Sequence, residues 1–217
     1  MSMVRRSAVI LVGGDARRAN GLEKYFFVYE GKTFIERLID TLEQVVDEII
    51  VVAKDPDQCK RFHHLSGLRC MTDKRPGIGP IGGLHAGALA AHGDTIFVSA
   101  CDMPFINRRI VRYLFDSIGE SDVAIPRWNS DMIEPLHAVY RKSFLIATLE
   151  DHDSNTLRRL IYRSNPRYVS IEELRPFDPT LKTFTNINDL EELERINAGS
   201  ALSYIREQPD TVLRPGG

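Results

Sequence analysis

Two hydrophobic periods alternate along the chain. Stretches of strand length with mostly apolar side chains fall at residues 8–12, 47–53, 68–72, 95–101, 121–126 and 136–140. Between them the apolar residues recur every three or four positions, the spacing of a helix that buries one face. Thr33 followed by Glu36 forms a capping box that opens a helix carrying Phe34, Leu38 and Leu42. Asp55-Pro56 opens the next, with aspartate as cap and proline in the first turn. A helix of small residues follows the glycines near residue 80, and Asn107 caps one that carries Val111, Leu114 and Phe115. Residues 142–150 and 154–162 read as two more helices. Residues 26–29 read as a short strand, and residues 184–191 as a strand end leading into a helix. Asn188 with Glu191 caps that helix, and Leu190, Leu193 and Ile196 set its spacing. Strand and helix patterns alternate throughout, which predicts an α/β fold. Its sheet is expected to be doubly wound and mostly parallel, with helices on both faces.

Composition narrows the class. The chain has 217 residues, 43% of them hydrophobic, enough for a packed core and consistent with a single domain over 1–217 whose tail frays from about 207. No apolar run reaches membrane-spanning length, and the arginines at 5 and 6 precede a run too short for a leader's apolar core. The net charge of −2 gives no overall reason to expect nucleic acid or a membrane as partner. Cys59, Cys70 and Cys101 match neither a zinc spacing nor a disulfide framework, which points to a reducing cytoplasm.

Charge is uneven, and that singles out residues 7–24, SAVILVGGDARRANGLEK. Here a buried strand ends in Gly13-Gly14, where the backbone can approach an anion, and Arg17, Arg18 and Lys24 follow. The stretch is either a phosphate site at the carboxyl end of a first strand or an ordinary turn with a solvated basic loop. Residues 73–92 hold Gly77, Gly79, Gly82 and Gly83 before a helix of small residues, either a ligand loop or a tightly packed turn. His85 and His92, seven apart on one face of that helix, are too widely spaced to share a metal. Asp102 ends an apolar strand, where a carboxylate suits a Mg²⁺ ion that bridges phosphate oxygens or caps the next turn. Cys101 lacks a partnered base and reads as a packed thiol, and His137 as a packed, hydrogen-bonded histidine. Arg158, Arg159 and Arg163 form a solvated face or a lid over an anion. Two asparagines, Asn186 and Asn188, flank Ile187 and can point the same way on extended backbone. Neither a Walker A motif nor a dinucleotide G-x-G-x-x-G is present.

Five blocks resemble the molybdenum cofactor guanylyltransferases, the MobA-like nucleotidyltransferases. They are L-x-G-G-x-x-x-R-x-x-x-x-x-K at 11–24, D-x-x-x-x-x-G-P-x-x-G at 73–83, C-D-x-P at 101–104, E-P-L-x-x-x-Y at 134–140 and N-x-N at 186–188. The blocks keep the family order and span nearly the whole chain. The resemblance implies transfer of GMP from GTP to molybdenum-bound molybdopterin, releasing pyrophosphate. It implies catalytic roles for Arg18, Lys24 and Asp102, with Mg²⁺ on Asp102. It further implies nucleotide contacts at Leu11, Val12, Gly13, Gly14, Lys24, Asp73, Gly79 and Asp102, and molybdopterin contacts at Asn186 and Asn188. Molybdoenzymes or their chaperones become candidate partners. The chain departs from the pattern at Ala19-Asn20-Gly21, where a Met-Gly-Gly-like run is usual. Glu23 stands for an aspartate before the lysine, Ala53 for an asparagine some members carry, and Asp189-Leu190 for Thr-Pro. These departures bear on base choice. The rival readings are a CTP-dependent molybdopterin cytidylyltransferase, a sugar- or cobinamide-phosphate nucleotidyltransferase, and a nucleotide-binding regulatory module without turnover.

Overall fold

The computed structural model of the chain describes residues 5–13, 23–73, 75, 77–150 and 156–197. Its strands are β1 (Arg6–Leu11), β2 (Val28–Tyr29), β3 (Lys32–Thr33), β4 (Glu48–Ala53), β5 (Leu68–Thr72), β6 (Thr95–Ala100), β7 (Val123–Arg127), β8 (His137–Arg141) and β9 (Pro166–Ser170). The helices are α1 (Phe34–Leu42), α2 (Pro56–Lys60), α3 (Pro80–Ala90), α4 (Arg108–Ser117), α5 (Lys142–Glu150), α6 (Leu157–Tyr162), α7 (Ile171–Leu174) and α8 (Leu190–Asn197). Seven strands form one sheet in the order β5-β4-β1-β6-β8-β7-β9, and β2 pairs with β3 as a small separate hairpin.

Alternation along β1 decides how the layers stack. Ala8 and Ile10 face one core with α1 and α4, through Ile35, Leu38, Val111 and Leu114. Val9 and Leu11 face the other core with α3, α5 and α6, through Leu84, Leu145 and Leu160. Helices therefore cover both faces, as expected. The sheet is mixed, however: β8 runs antiparallel to both β6 and β7, while the remaining pairs are parallel.

The run of small residues in α3 has a steric cause. A Cβ on Gly87 would lie 2.6 Å from Cγ1 of Val9, and one on Gly82 would lie 2.5 Å from Oδ1 of Asp73. Glycine lets α3 lie against β1 and brings its N-terminus against Asp73. The predicted caps of α1, α2 and α4 are present: Thr33 accepts from the N–H of Glu36, Asp55 from Gln58, and Asn107 from Arg109.

Several expectations are corrected. Cys59 and Cys70 form a disulfide with Cα atoms 5.8 Å apart, joining α2 to β5. Parallel pairing of β4 with β5 brings the two together, a contact no cysteine count reveals, and the cysteine argument for a reducing compartment falls with it. His92 lies beyond the end of α3, because the helix stops at Ala90. Residues 24–26 make a 3₁₀ turn before β2. Residues 182–184 make another, followed by irregular backbone where a strand end was expected. The cap of α8 is Asp189, whose Oδ1 accepts from Glu192 N–H at 2.9 Å, and Asn188 sits one residue outside it. Strand β9 went unpredicted, since PRYVS has charge, a proline and one fully buried side chain, Val169. That is the composition of a sheet edge.

At the amino end of the sheet Glu48 joins three strands. It accepts from Ser7 Oγ at 2.6 Å, from Arg69 at 2.6 Å and from the N–H groups of His92 and Gly93. Partial burial pushes its carboxyl up, but these hydrogen bonds outweigh that and hold it at about 2. A carboxyl lowered on folding stabilises the fold above its unfolded value of 4.5, and that contribution fades as pH falls toward about 2. Urea unfolding of Glu48→Gln is expected to show a loss on the order of 3 kcal/mol at neutral pH. The gap from wild type should shrink by pH 3. A gap that is constant with pH would contradict this role.

Candidate active site

The carboxyl ends of β1, β4 and β6 lie side by side and are laced together by main-chain bonds. Val12 N–H donates to Val52 C=O at 3.1 Å, and Cys101 N–H donates to Leu11 C=O at 3.1 Å. This fixes Leu11 and Val12 beneath Gly13, which is exposed; a Cβ there would meet Lys54 only at ordinary contact distance. Gly14, Arg17 and Arg18 fall outside the described residues.

Lys24 is held by what surrounds it. The 3₁₀ turn it begins buries Tyr25 and Phe26, which anchor the turn in the core. Glu23 before it is buried, accepts from Gln58 Nε2 at 3.1 Å, and faces Lys54 and Arg61 at 3.9 and 3.7 Å. Gln58 in turn accepts from Lys54 N–H at 2.8 Å. The short helix α2 therefore clamps the residue preceding Lys24. Sequence reasoning missed this clamp. Its one signal is the longer glutamate at 23, whose extra methylene gives reach toward Gln58.

The ammonium of Lys24 brings together two segments far apart in sequence. Its Nζ donates to Asp102 Oδ2 and to Asn188 Oδ1, both at 3.1 Å. Both Lys24 and Asp102 keep about a fifth of their side-chain surface in solvent. The main chain reinforces the contact, since Ile187 N–H donates to Asp102 C=O at 2.8 Å. Ile187 is fully buried while Asn186 and Asn188 are exposed on either side of it, so the pair does face outward as the spacing suggested. Three of the expected residues thus meet at one point.

Asp73 and Gly79 belong to a neighbouring corner. Asp73 N–H continues the ladder to Ala53 C=O at 2.8 Å, and its Oδ1 accepts from Arg75 N–H at 2.7 Å. Gly79 stands just before α3 with φ of +70°, a conformation that favours glycine. One oxygen of Asp73 is thereby committed to its own loop, and the other can still accept from a ligand.

The neighbours not assigned chemistry behave as packed groups. Burial, and then the charge of Asp102, push the Cys101 thiol up to about 12, so it stays protonated. His137 is fully buried, its pKa pushed down to about 3 by desolvation, and its ring stands edge-on to Phe97 and Phe184. Arg158, Arg159 and Arg163 are exposed on and just after α6. Among the described residues no group of three or more His, Cys, Asp or Glu is placed to hold a metal alone. Asp102 is the carboxylate beside the strand-end turn, and a single carboxylate suits Mg²⁺ when substrate phosphates and water fill the remaining positions.

The family model of the MobA-like NTP transferase domain matches residues 8–168. A probable molybdenum cofactor guanylyltransferase of Methanosarcina acetivorans is 39% identical over 199 residues, covering 87% of this chain and 88% of that protein. The molybdenum cofactor guanylyltransferase of Desulfosudis oleivorans is 33% identical over 88% of this chain and 94% of its own. Among solved structures, molybdopterin-guanine dinucleotide biosynthesis protein A from Archaeoglobus fulgidus superposes with a TM-score of 0.74 at 31% identity, covering 87% of this chain and 95% of that one.

Proposed function

We propose one reaction for this chain, which belongs to the MobA-like NTP transferase family and is a nucleotidyltransferase: transfer of GMP from GTP to the phosphate of molybdenum-bound molybdopterin, releasing pyrophosphate. The observation that carries the reading is the meeting of Lys24 with Asp102 and Asn188 at 3.1 Å. It joins the residues expected at the donor to one expected at the acceptor, which supports a reading in which the two phosphates approach each other there.

The transfer needs little beyond positioning and charge neutralisation. The attacking oxygen belongs to an ionised phosphate, so no general base is required. In-line attack on the α-phosphorus leaves growing negative charge on the bridging and pyrophosphate oxygens. Gly13 presents its backbone to the nucleotide above Leu11 and Val12, and Arg18 and Lys24 neutralise the triphosphate. Asp73 accepts from the guanine edge, beside the turn at Gly79. Asn186 and Asn188 orient the acceptor. Before substrates arrive, Lys24 and Asp102 satisfy each other; a triphosphate draws the ammonium away and frees the carboxylate. Asp102 would then hold Mg²⁺, which supplies Lewis-acid neutralisation of phosphate charge when bound.

This reading places the chain in the cytoplasm with GTP, and makes molybdoenzymes or their chaperones the recipients of its product. Among the described residues no helix is long and apolar enough to cross a membrane.

Base choice is tested by thermal shift with GTP, CTP, ATP and UTP, each with and without Mg²⁺. A ligand at a hundredfold excess over its Kd adds about 3 kcal/mol to the folded state. GTP with Mg²⁺ is expected to raise the melting temperature well above the other nucleotides. A larger shift with CTP would overturn the guanine assignment.

A further inference from the structure

We propose that the indole of Trp128 is the platform on which the pterin rings of the acceptor stack, an inference that rests on the reaction proposed above. Trp128 is the only tryptophan in the chain and is 39% exposed. Topology places it at the same edge of the sheet as Asp102. Strand β8 runs against β6, and β7 runs against β8, so β7 points the same way as β6. Trp128 directly follows the carboxyl end of β7, as Asp102 follows that of β6. Only β8 lies between them in the sheet, a separation of two strand spacings or about 10 Å. A fused tricyclic pterin with a phosphate arm spans that distance, its phosphate at Lys24 and Asn188 and its rings at the indole.

The indole is built into place. Its Nε1 donates to Glu134 Oε1 at 2.7 Å, which fixes the plane of the ring. Its edge meets Phe184 with centroids 5.7 Å apart at 68°. Phe184, buried, stands two residues before Asn186, so the ring on which the indole packs belongs to the segment that carries the asparagine pair. The loop beneath is equally ordered: Trp128 N–H donates to Met132 C=O at 2.9 Å, and Asn129 Oδ1 accepts from the N–H groups of Asp131 and Met132. A large ring left exposed in the polar run WNSDM yet held in one orientation suits a planar heteroaromatic ligand.

The test is the affinity for molybdopterin, measured by anaerobic equilibrium dialysis with wild type, Trp128→Ala and Trp128→Phe. Loss of a stacking ring weakens binding of a planar base about ten- to a hundredfold, and the alanine variant is expected to fall in that range. The phenylalanine variant should recover most of the affinity, and GTP should bind all three equally. Molybdopterin should also quench the fluorescence of the single tryptophan, whereas GTP alone should not. Equal molybdopterin affinity in wild type and Trp128→Ala would overturn the platform. Because binding is read without turnover, wild-type protein that binds molybdopterin but transfers no GMP would defeat the reaction and leave the platform to be judged on the affinities alone.

Discussion

Asp102→Asn is expected to lower the rate of transfer at saturating substrates by about a thousandfold, near the upper end of what removing one charge-stabilising group from a site costs. The substitution keeps shape and removes charge. An asparagine at 102 can still accept from Lys24 through its Oδ1, and the contact with Ile187 uses the main-chain carbonyl, which is untouched. The fold and the docking of the Asn186–Asn188 segment should therefore persist, and only the carboxylate available to Mg²⁺ is lost. Rates measured across a Mg²⁺ titration, beside a thermal melt, separate the two effects. Rates close to wild type at ordinary Mg²⁺ would contradict the metal assignment.

Lys24→Ala should show a different pattern. Here both the affinity for GTP and the rate are expected to fall, together about a hundredfold or more in kcat/KM, since the ammonium meets the triphosphate in the ground state and in the transition state. Stability should change little, because the Lys24–Asp102 pair is partly open to solvent and such pairs contribute about 1 kcal/mol or less. Lys24→Arg should recover only part of the loss, because a planar guanidinium presents its charge differently from a compact ammonium. Titration of GTP against each variant reads the effect. Unchanged nucleotide affinity in Lys24→Ala would refute the phosphate assignment.

The elements nearest the site were the most legible in the sequence. Strands β1, β4 and β6 are buried on both faces and read as continuous apolar runs, so their ends, and with them Gly13 and Asp102, could be located. The caps at Thr33, Asp55 and Asn107 were legible because capping depends on residues two or three apart. What stayed hidden depends on long-range pairing. Lys24 lies 78 residues from Asp102 and 164 from Asn188, and no local pattern states that they touch. The reversed direction of β8 and the edge strand β9 were hidden for the same reason, as was the Cys59–Cys70 bond. Asn188 and Asp189 are both good caps, so composition alone could not choose between them. The structure chose Asp189 and left the Asn188 side chain free to meet Lys24.

The most direct measurement is to incubate the protein with GTP labelled at the α-phosphorus, molybdenum-bound molybdopterin and Mg²⁺, and to follow where the label goes. Label is expected in a guanine dinucleotide of the cofactor, with one pyrophosphate released for each GMP transferred and little transfer from CTP. Label that remains in GTP, or that enters the cofactor more readily from CTP, would contradict the proposed reaction.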